Sequence, residues 1–311
     1  MTVERTVGIS DEQFAQVGDE ITVCYQTFGS ADDPPLLLVM GLAGPMTWWP
    51  AQLCERLARA GFFVVRYDNR DTGRSSRAQG RVSRRQIVSA FLRGSRFTEP
   101  PPYSMADLAE DAFGLMDHLG LDAAHVCGMS MGGMIVQTMA VAHPERVRSM
   151  TSIMSTTGKR FVGWQHPSLF PMLLRGASNR DAYIAQSQTT WRMIGSPRYP
   201  TPREVLAARA AETYDRGVSR SGIMRQMAAV LTQPDRGPAL ATLDIPAAVI
   251  HGNADKMVHV SGGRETAARA PGAELTVIDG MGHDLPEPLW SQFVDIIVRT
   301  ARRAGDLHDR S

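Results

Sequence analysis

Three residues in this sequence have the types and settings for nucleophilic chemistry. Ser130 lies in Gly128-Met129-Ser130-Met131-Gly132, a G-x-S-x-G pattern. Asp255 ends His251-Gly252-Asn253-Ala254-Asp255, and His283 ends Gly280-Met281-Gly282-His283. A serine hydroxyl at its ordinary pKa is a poor nucleophile and needs a base that a third group orients. Imidazole supplies the base and carboxylate the orientation. The glycines have a physical reason: a nucleophile on a sharp strand-to-helix turn needs neighbours without bulk two residues to either side. Such a turn lifts the hydroxyl clear of the backbone. It also sets it at a helix N-terminus, where partial positive charge favours a developing anion. Taken singly, the pentapeptide also fits a glycine-rich turn with a capping serine. Asp255 fits a plain turn aspartate, and His283 a turn histidine beside Asp284. His251 and His259 are the rival bases. His251 falls in a strand and His259 at the start of the next helix, so both read as structural.

The surrounding elements give the three residues a common address. Residues 22–28 alternate and end at Gly29, which predicts an exposed antiparallel strand. The short apolar runs 36–40, 62–67, 125–129, 147–154, 246–251 and 274–278 read as strands, and such continuous runs suit a sheet buried on both faces. Helices are predicted at 49–60, 105–119, 131–143, 263–270 and 290–301. This alternation is the pattern of a mostly parallel α/β sheet with helices on both faces. Ser130, Asp255 and His283 each fall just past a strand, hence at one sheet edge, where ligands bind in open α/β sheets. Their chain order, Ser, Asp, His, is the one this architecture uses.

The alternation breaks at about 159 and resumes at about 239, with helical stretches at 203–214 and 223–231. The expectation is therefore a core formed by 1–158 and 239–303, a helical cap inserted at 159–238, and a flexible tail at 304–311. Residues 123–143 carry no charged side chain, which invites a membrane span. Gly128, Ser130, Gly132, Gly133 and Gln137 interrupt it, and strand, turn and helix describe it better.

Lys+Arg total 33 against 32 Asp+Glu, so charge balance offers no case for a nucleic-acid binder. Cys24, Cys54 and Cys127 form neither a disulfide framework nor a CxxC metal pair. They fit reduced thiols in a cytoplasmic protein. The polar N-terminus shows no secretory h-region. Between Thr72 and Thr98 seven arginines occur with no acid, and Ile87, Val88, Phe91 and Leu92 form one helical face among them. A basic amphipathic helix can lie on an anionic membrane, so 74–96 is a candidate membrane contact. A solvated helix packed on the domain is the plainer reading.

With these motifs in place, the sequence resembles the α/β-hydrolase fold family over nearly its whole length. It resembles the branch with aclacinomycin methylesterase-type carboxylesterases and mycobacterial lipase/esterase G proteins. The carrying segments are 37–41, 66–75, the Ser130 turn, 251–255 and 280–283. The resemblance implies an eight-stranded sheet, Ser130 as nucleophile, His283 as general base then acid, and Asp255 as its orienter. It implies backbone N–H groups of Leu42 and Met131 as oxyanion donors. Many relatives carry His-Gly where this chain has Met40-Gly41, which leaves open what supports that loop. Arg66 to Ser75 reads as a fold signature. Leu42, Trp48, Met129 and the insertion, acting as a lid, are candidate pocket walls, and apolar walls suit an ester substrate.

The expected activity is carboxylic ester hydrolysis, of methyl or lipid esters, with no metal or organic cofactor. The same three residues also serve thioesterase, cofactor-free perhydrolase (haloperoxidase) or C–C hydrolase chemistry. A small-ligand receptor on this fold is the non-enzymatic alternative. Oligomeric state is left open.

Overall fold

The computed structural model describes residues 7–93, 100–169 and 177–305, with 91–93 described by backbone alone. Eight strands form one sheet: β1 (Gln13–Gln16), β2 (Thr22–Phe28), β3 (Pro35–Val39), β4 (Phe63–Tyr67), β5 (Ala124–Met129), β6 (Val147–Ile153), β7 (Ala247–Gly252) and β8 (Glu274–Ile278). Their spatial order is β1-β2-β4-β3-β5-β6-β7-β8. The pairs β1–β2 and β2–β4 are antiparallel, and every other pair is parallel. β3, β4, β5 and β7 are buried at every residue, which is why their sequences run apolar without a break. β1 was not expected. It is short, and only Ala15 is buried, so it leaves no periodic signal.

The helices, in chain order, are α1 (Ala51–Arg59), α2 (Arg84–Arg93), α3 (Met105–His118), α4 (Met131–Ala142), α5 (Arg180–Ile194), α6 (Arg203–Asp215), α7 (Arg220–Thr232), α8 (Gly237–Leu240), α9 (Ser261–Arg269) and α10 (Trp290–Arg302). Strand side chains alternate between faces, and the packing follows that period. Leu37 and Val39 meet Leu108 and Phe113 of α3 and Ile135 of α4 in one core. Leu36 and Leu38 meet Leu53 and Leu57 of α1 and Phe293 of α10 in the other. Ser104 caps α3 through a reciprocal box with Asp107. The uncharged stretch 123–143 resolves into β5, a turn at Ser130 and α4. Among the described residues, no helix is long and apolar enough to cross a membrane.

Between β6 and β7 the described residues hold α5 to α8 and no strand. Two buried ion pairs tie this region to the loop after β4. Arg216 Nη2 donates to Asp68 Oδ2 at 2.7 Å. Arg225 donates to both oxygens of Asp71, at 2.8 and 2.6 Å, and Tyr103 Oη adds a bond to Asp71 Oδ2 at 2.8 Å. The segment 66–75 is thus a hydrogen-bonded hub, in keeping with its reading as a fold signature.

In the basic stretch, Arg74 pairs with Glu12 at 2.7 Å and Arg77 donates to the carbonyls of Gly73 and Gly217. Ile87 and Ala90 of α2 are buried, whereas Val88 is exposed. The side chains of Phe91, Leu92 and Arg96, most of the tail, and 170–176 of the insertion lie outside the described residues. All three cysteines are free and buried. Burial pushes their thiols up, to about 12 at Cys24 and Cys54, away from reactive thiolate character.

Candidate active site

Ser130 occupies the single residue between β5 and α4. Its backbone is left-handed, with φ 57° and ψ −119°, a conformation that costs a non-glycine residue about 1–3 kcal/mol. The surroundings enforce it. Ser130 N–H donates to Ile153 O at 2.9 Å, and Ser155 Oγ donates to Ser130 O at 2.7 Å. The flanking glycines are steric necessities. A Cβ on Gly128 would lie 2.1 Å from Gly132 O, and one on Gly132 would lie 2.0 Å from Val39 O. Strand and helix touch backbone to backbone there.

His283 follows β8 and is 5% exposed. Its loop rests on the end of α5: His283 N–H donates to Ile194 O at 2.7 Å, and Gly282 N–H donates to Ser196 Oγ at 2.9 Å. A Cβ on Gly282 would lie 2.3 Å from Gly195 O, so only glycine allows this approach.

Asp255 follows β7. Its Oδ1 accepts from Met257 N–H at 2.8 Å and Val258 N–H at 2.9 Å. Burial alone would raise its pKa, but the His283 charge, then hydrogen bonds from His251 and His283, hold it down to about 2. It is therefore a carboxylate at any working pH.

The structure brings these three side chains together. Ser130 Oγ donates to His283 Nε2 at 2.9 Å, and His283 Nδ1 donates to Asp255 Oδ2 at 2.7 Å. Neither rival histidine is the partner of Ser130 Oγ. His259 stacks on Trp164 with ring centroids 4.6 Å apart. His251 is fully buried in β7, and its Nε2 sits 2.8 Å from Val258 O and 3.5 Å from Asp255 Oδ2. It thus lines the far side of Asp255, a supporting position that residue type alone did not distinguish from a core histidine.

The loop after β3 abuts Ser130: a Cβ on Gly41 would lie 3.1 Å from Ser130 Cβ. Met131 is the first residue of α4, so its N–H has no acceptor within the helix. Met40 leaves the loop without a histidine, and other side chains hold it. Asn69 Nδ2 donates to Met40 O at 2.9 Å, Asp68 Oδ1 accepts from Met46 N–H at 2.6 Å, and Gln226 Oε1 accepts from Ala43 N–H at 2.8 Å. Sequence reasoning missed Asn69 and Gln226 as supports, because neither is near the loop in the chain.

Trp48 is half-buried and faces the insertion: its Nε1 donates to Thr213 Oγ1 at 2.9 Å, and it meets Trp191 edge-on at 5.0 Å. Met129 is buried in the core beneath the turn. A shallow cleft of about 350 Å³ on the insertion is lined by Asp181, Gln188, Arg192 and Arg203 among others. It includes none of the three central residues.

An eight-stranded, mostly parallel sheet with this serine turn and a Ser–His–Asp chain defines a class, and the comparisons agree. Residues 34–287 match the family described as alpha/beta hydrolase fold, and the chain belongs to it. It is 30% identical over 303 residues to rhodomycin D methylesterase DauP of Streptomyces sp. (strain C5), covering 87% of this chain and 93% of that protein. It is likewise 30% identical over 301 residues to rhodomycin D methylesterase DnrP of Streptomyces peucetius, with the same coverage, 87% and 93%. Among solved structures, the enol-lactonase from Burkholderia xenovorans LB400 superposes with a TM-score of 0.71 at 20% identity, covering 93% of this chain and 100% of that one.

Proposed function

We propose that this protein is a serine hydrolase of carboxylic esters that works through Ser130, His283 and Asp255. Ser130 Oγ attacks the ester carbonyl while His283 Nε2 takes its proton. Asp255 accepts the Nδ1–H, which fixes the tautomer and stabilises the imidazolium. The N–H groups of Leu42 and Met131 donate to the tetrahedral oxyanion. The alcohol leaves with the proton from His283. Water then gives a proton to His283, attacks the acyl-enzyme and releases the acid. No metal or organic cofactor enters these steps.

The observation that carries the reading is the continuous chain Ser130 Oγ–His283 Nε2–Asp255, with links of 2.9 and 2.7 Å, built on a strained nucleophile turn. Similarity to the two rhodomycin D methylesterases supports methyl esters as the substrate class. Trp48, half-buried above the sheet edge, is assigned as an apolar contact of the small-molecule ester, whereas Met129 packs in the core beneath the turn. The basic stretch is read as a helix packed on the domain, because Ile87 and Ala90 face inward and Arg74 and Arg77 are engaged.

The test is hydrolysis of p-nitrophenyl esters from acetate to palmitate, with wild type beside Ser130→Ala. Turnover that vanishes in the variant supports the reading, and the chain-length optimum separates a short-chain esterase from a lipase. A folded wild type inert on every ester sinks it and points to C–C cleavage or ligand binding. Equal turnover in both proteins removes Ser130 from the chemistry.

A further inference from the structure

The loop Gly41-Leu42-Ala43-Gly44 must hold one peptide N–H at a fixed angle, and its own bonding is thin. Gly44 N–H donates to Gly41 O at 3.2 Å, and Ala43 is left-handed at φ 60°. Two side chains grip the Leu42 segment from outside. Asn69 holds the carbonyl before Gly41, and Gln226 holds the N–H after Leu42. Gln226 is 1% exposed and comes from α7 in the insertion. Its amide is engaged at both ends: Nε2 donates to Arg70 O at 2.9 Å and to Thr72 Oγ1 at 2.8 Å. With a donor facing Oε1 and a backbone acceptor facing Nε2, the orientation of the amide is determined. The preceding residue, Arg225, is clamped to Asp71 by two bonds, which fixes where α7 presents Gln226.

We propose that Gln226 is a positioning residue for ester hydrolysis: from the inserted helix it sets the Leu42 peptide, so the oxyanion site is complete only when the insertion is docked. This rests on the proposed Ser130 chemistry. Displacing a reacting contact by about 1 Å costs on the order of 10² in rate, and losing one oxyanion donor costs about 10²–10³. Gln226→Leu removes the acceptor and the donor together. Its kcat should fall about 10–100-fold with KM within about threefold, since the ground-state ester gains little from that N–H. A trifluoromethyl ketone, which binds Ser130 as a tetrahedral oxyanion, should lose affinity in parallel. A merely structural role would lower the melting temperature and the titratable active fraction but leave both ratios per active site unchanged.

Gln226→Glu gives a second readout. A carboxylate there keeps the acceptor for Ala43 but faces the Arg70 carbonyl without a proton. Protonation restores the donor, so kcat of this variant relative to wild type should rise as pH falls. If wild type hydrolyses no ester, the underlying reading fails. If wild type is active and Ser130→Ala is not, the ester reading stands, and a Gln226→Leu protein with unchanged kcat and ketone affinity overturns this inference alone. Should Gln226→Leu fail to fold, a ratio for Gln226→Glu that does not change with pH overturns it.

Discussion

The Ser–His–Asp chain and the loop that faces it are built in opposite ways. Ser130, Asp255 and His283 project from the carboxyl ends of parallel strands. Asp255 is fixed within six residues of its strand, by Met257 and Val258, and the Ser130 turn is fixed by the neighbouring strand β6. The loop Gly41–Gly44 is held instead by Asn69 and by Gln226, the latter 183 residues away from Ala43. The sheet therefore carries the proposed nucleophile, while the segment between β6 and β7 and the β4 loop carry much of what surrounds it. His283 joins the two, since its own N–H rests on Ile194 of α5.

Substitutions should separate these regions in descending order. Ser130→Ala should lower kcat by about 10⁶, as for other serine nucleophiles, with the melting temperature nearly kept; p-nitrophenyl ester turnover measures it. Asp255→Asn should cost about 10⁴ in kcat, because the imidazole loses its tautomer control. Arg225→Met should act on stability first. It leaves the fully buried Asp71 carboxylate without its guanidinium partner, with only the bonds from Tyr103 Oη and Ala78 N–H, and removing one partner of such a pair costs about 3–5 kcal/mol. Urea unfolding checks this, and a variant as stable as wild type would mean that the insertion does not depend on that pair.

A smaller effect is the pH dependence tied to Asp255. Its folded pKa is depressed to about 2, so its stabilising contribution is complete above about pH 4, the unfolded value, and is lost as pH falls through the folded one. The melting-temperature advantage of wild type over Asp255→Asn should shrink across that window. Last, Arg180→Gln breaks an exposed pair with Asp215 at 2.7 Å, and both melting temperature and turnover should stay where they were.

What the sequence showed follows the same division. The strands that present Ser130, Asp255 and His283 announce themselves as apolar runs, because both faces are covered. The spacing of the three residues past those runs then places them at one edge. β1 was silent because a four-residue edge strand with one buried side chain has no period to read. Asn69 and Gln226 were silent for another reason. A glutamine on a helix looks alike whether it faces water or grips a loop, and only tertiary docking makes Gln226 buried. His251 was legible as a strand residue, but its place behind Asp255 depends on how the loop after β7 curls back.

The backbone of Ser130 has a consequence for how such a chain evolves. At φ 57° a side chain of any kind is a burden, and glycine alone sits there without penalty. Of two inactive variants, Ser130→Gly should outlast Ser130→Ala on heating, the reverse of the order found in ordinary helices and strands. Selection for durability alone favours glycine at this position, and the proposed use of the hydroxyl opposes it. A descendant lineage released from selection on activity gains thermal tolerance by trading this serine for glycine.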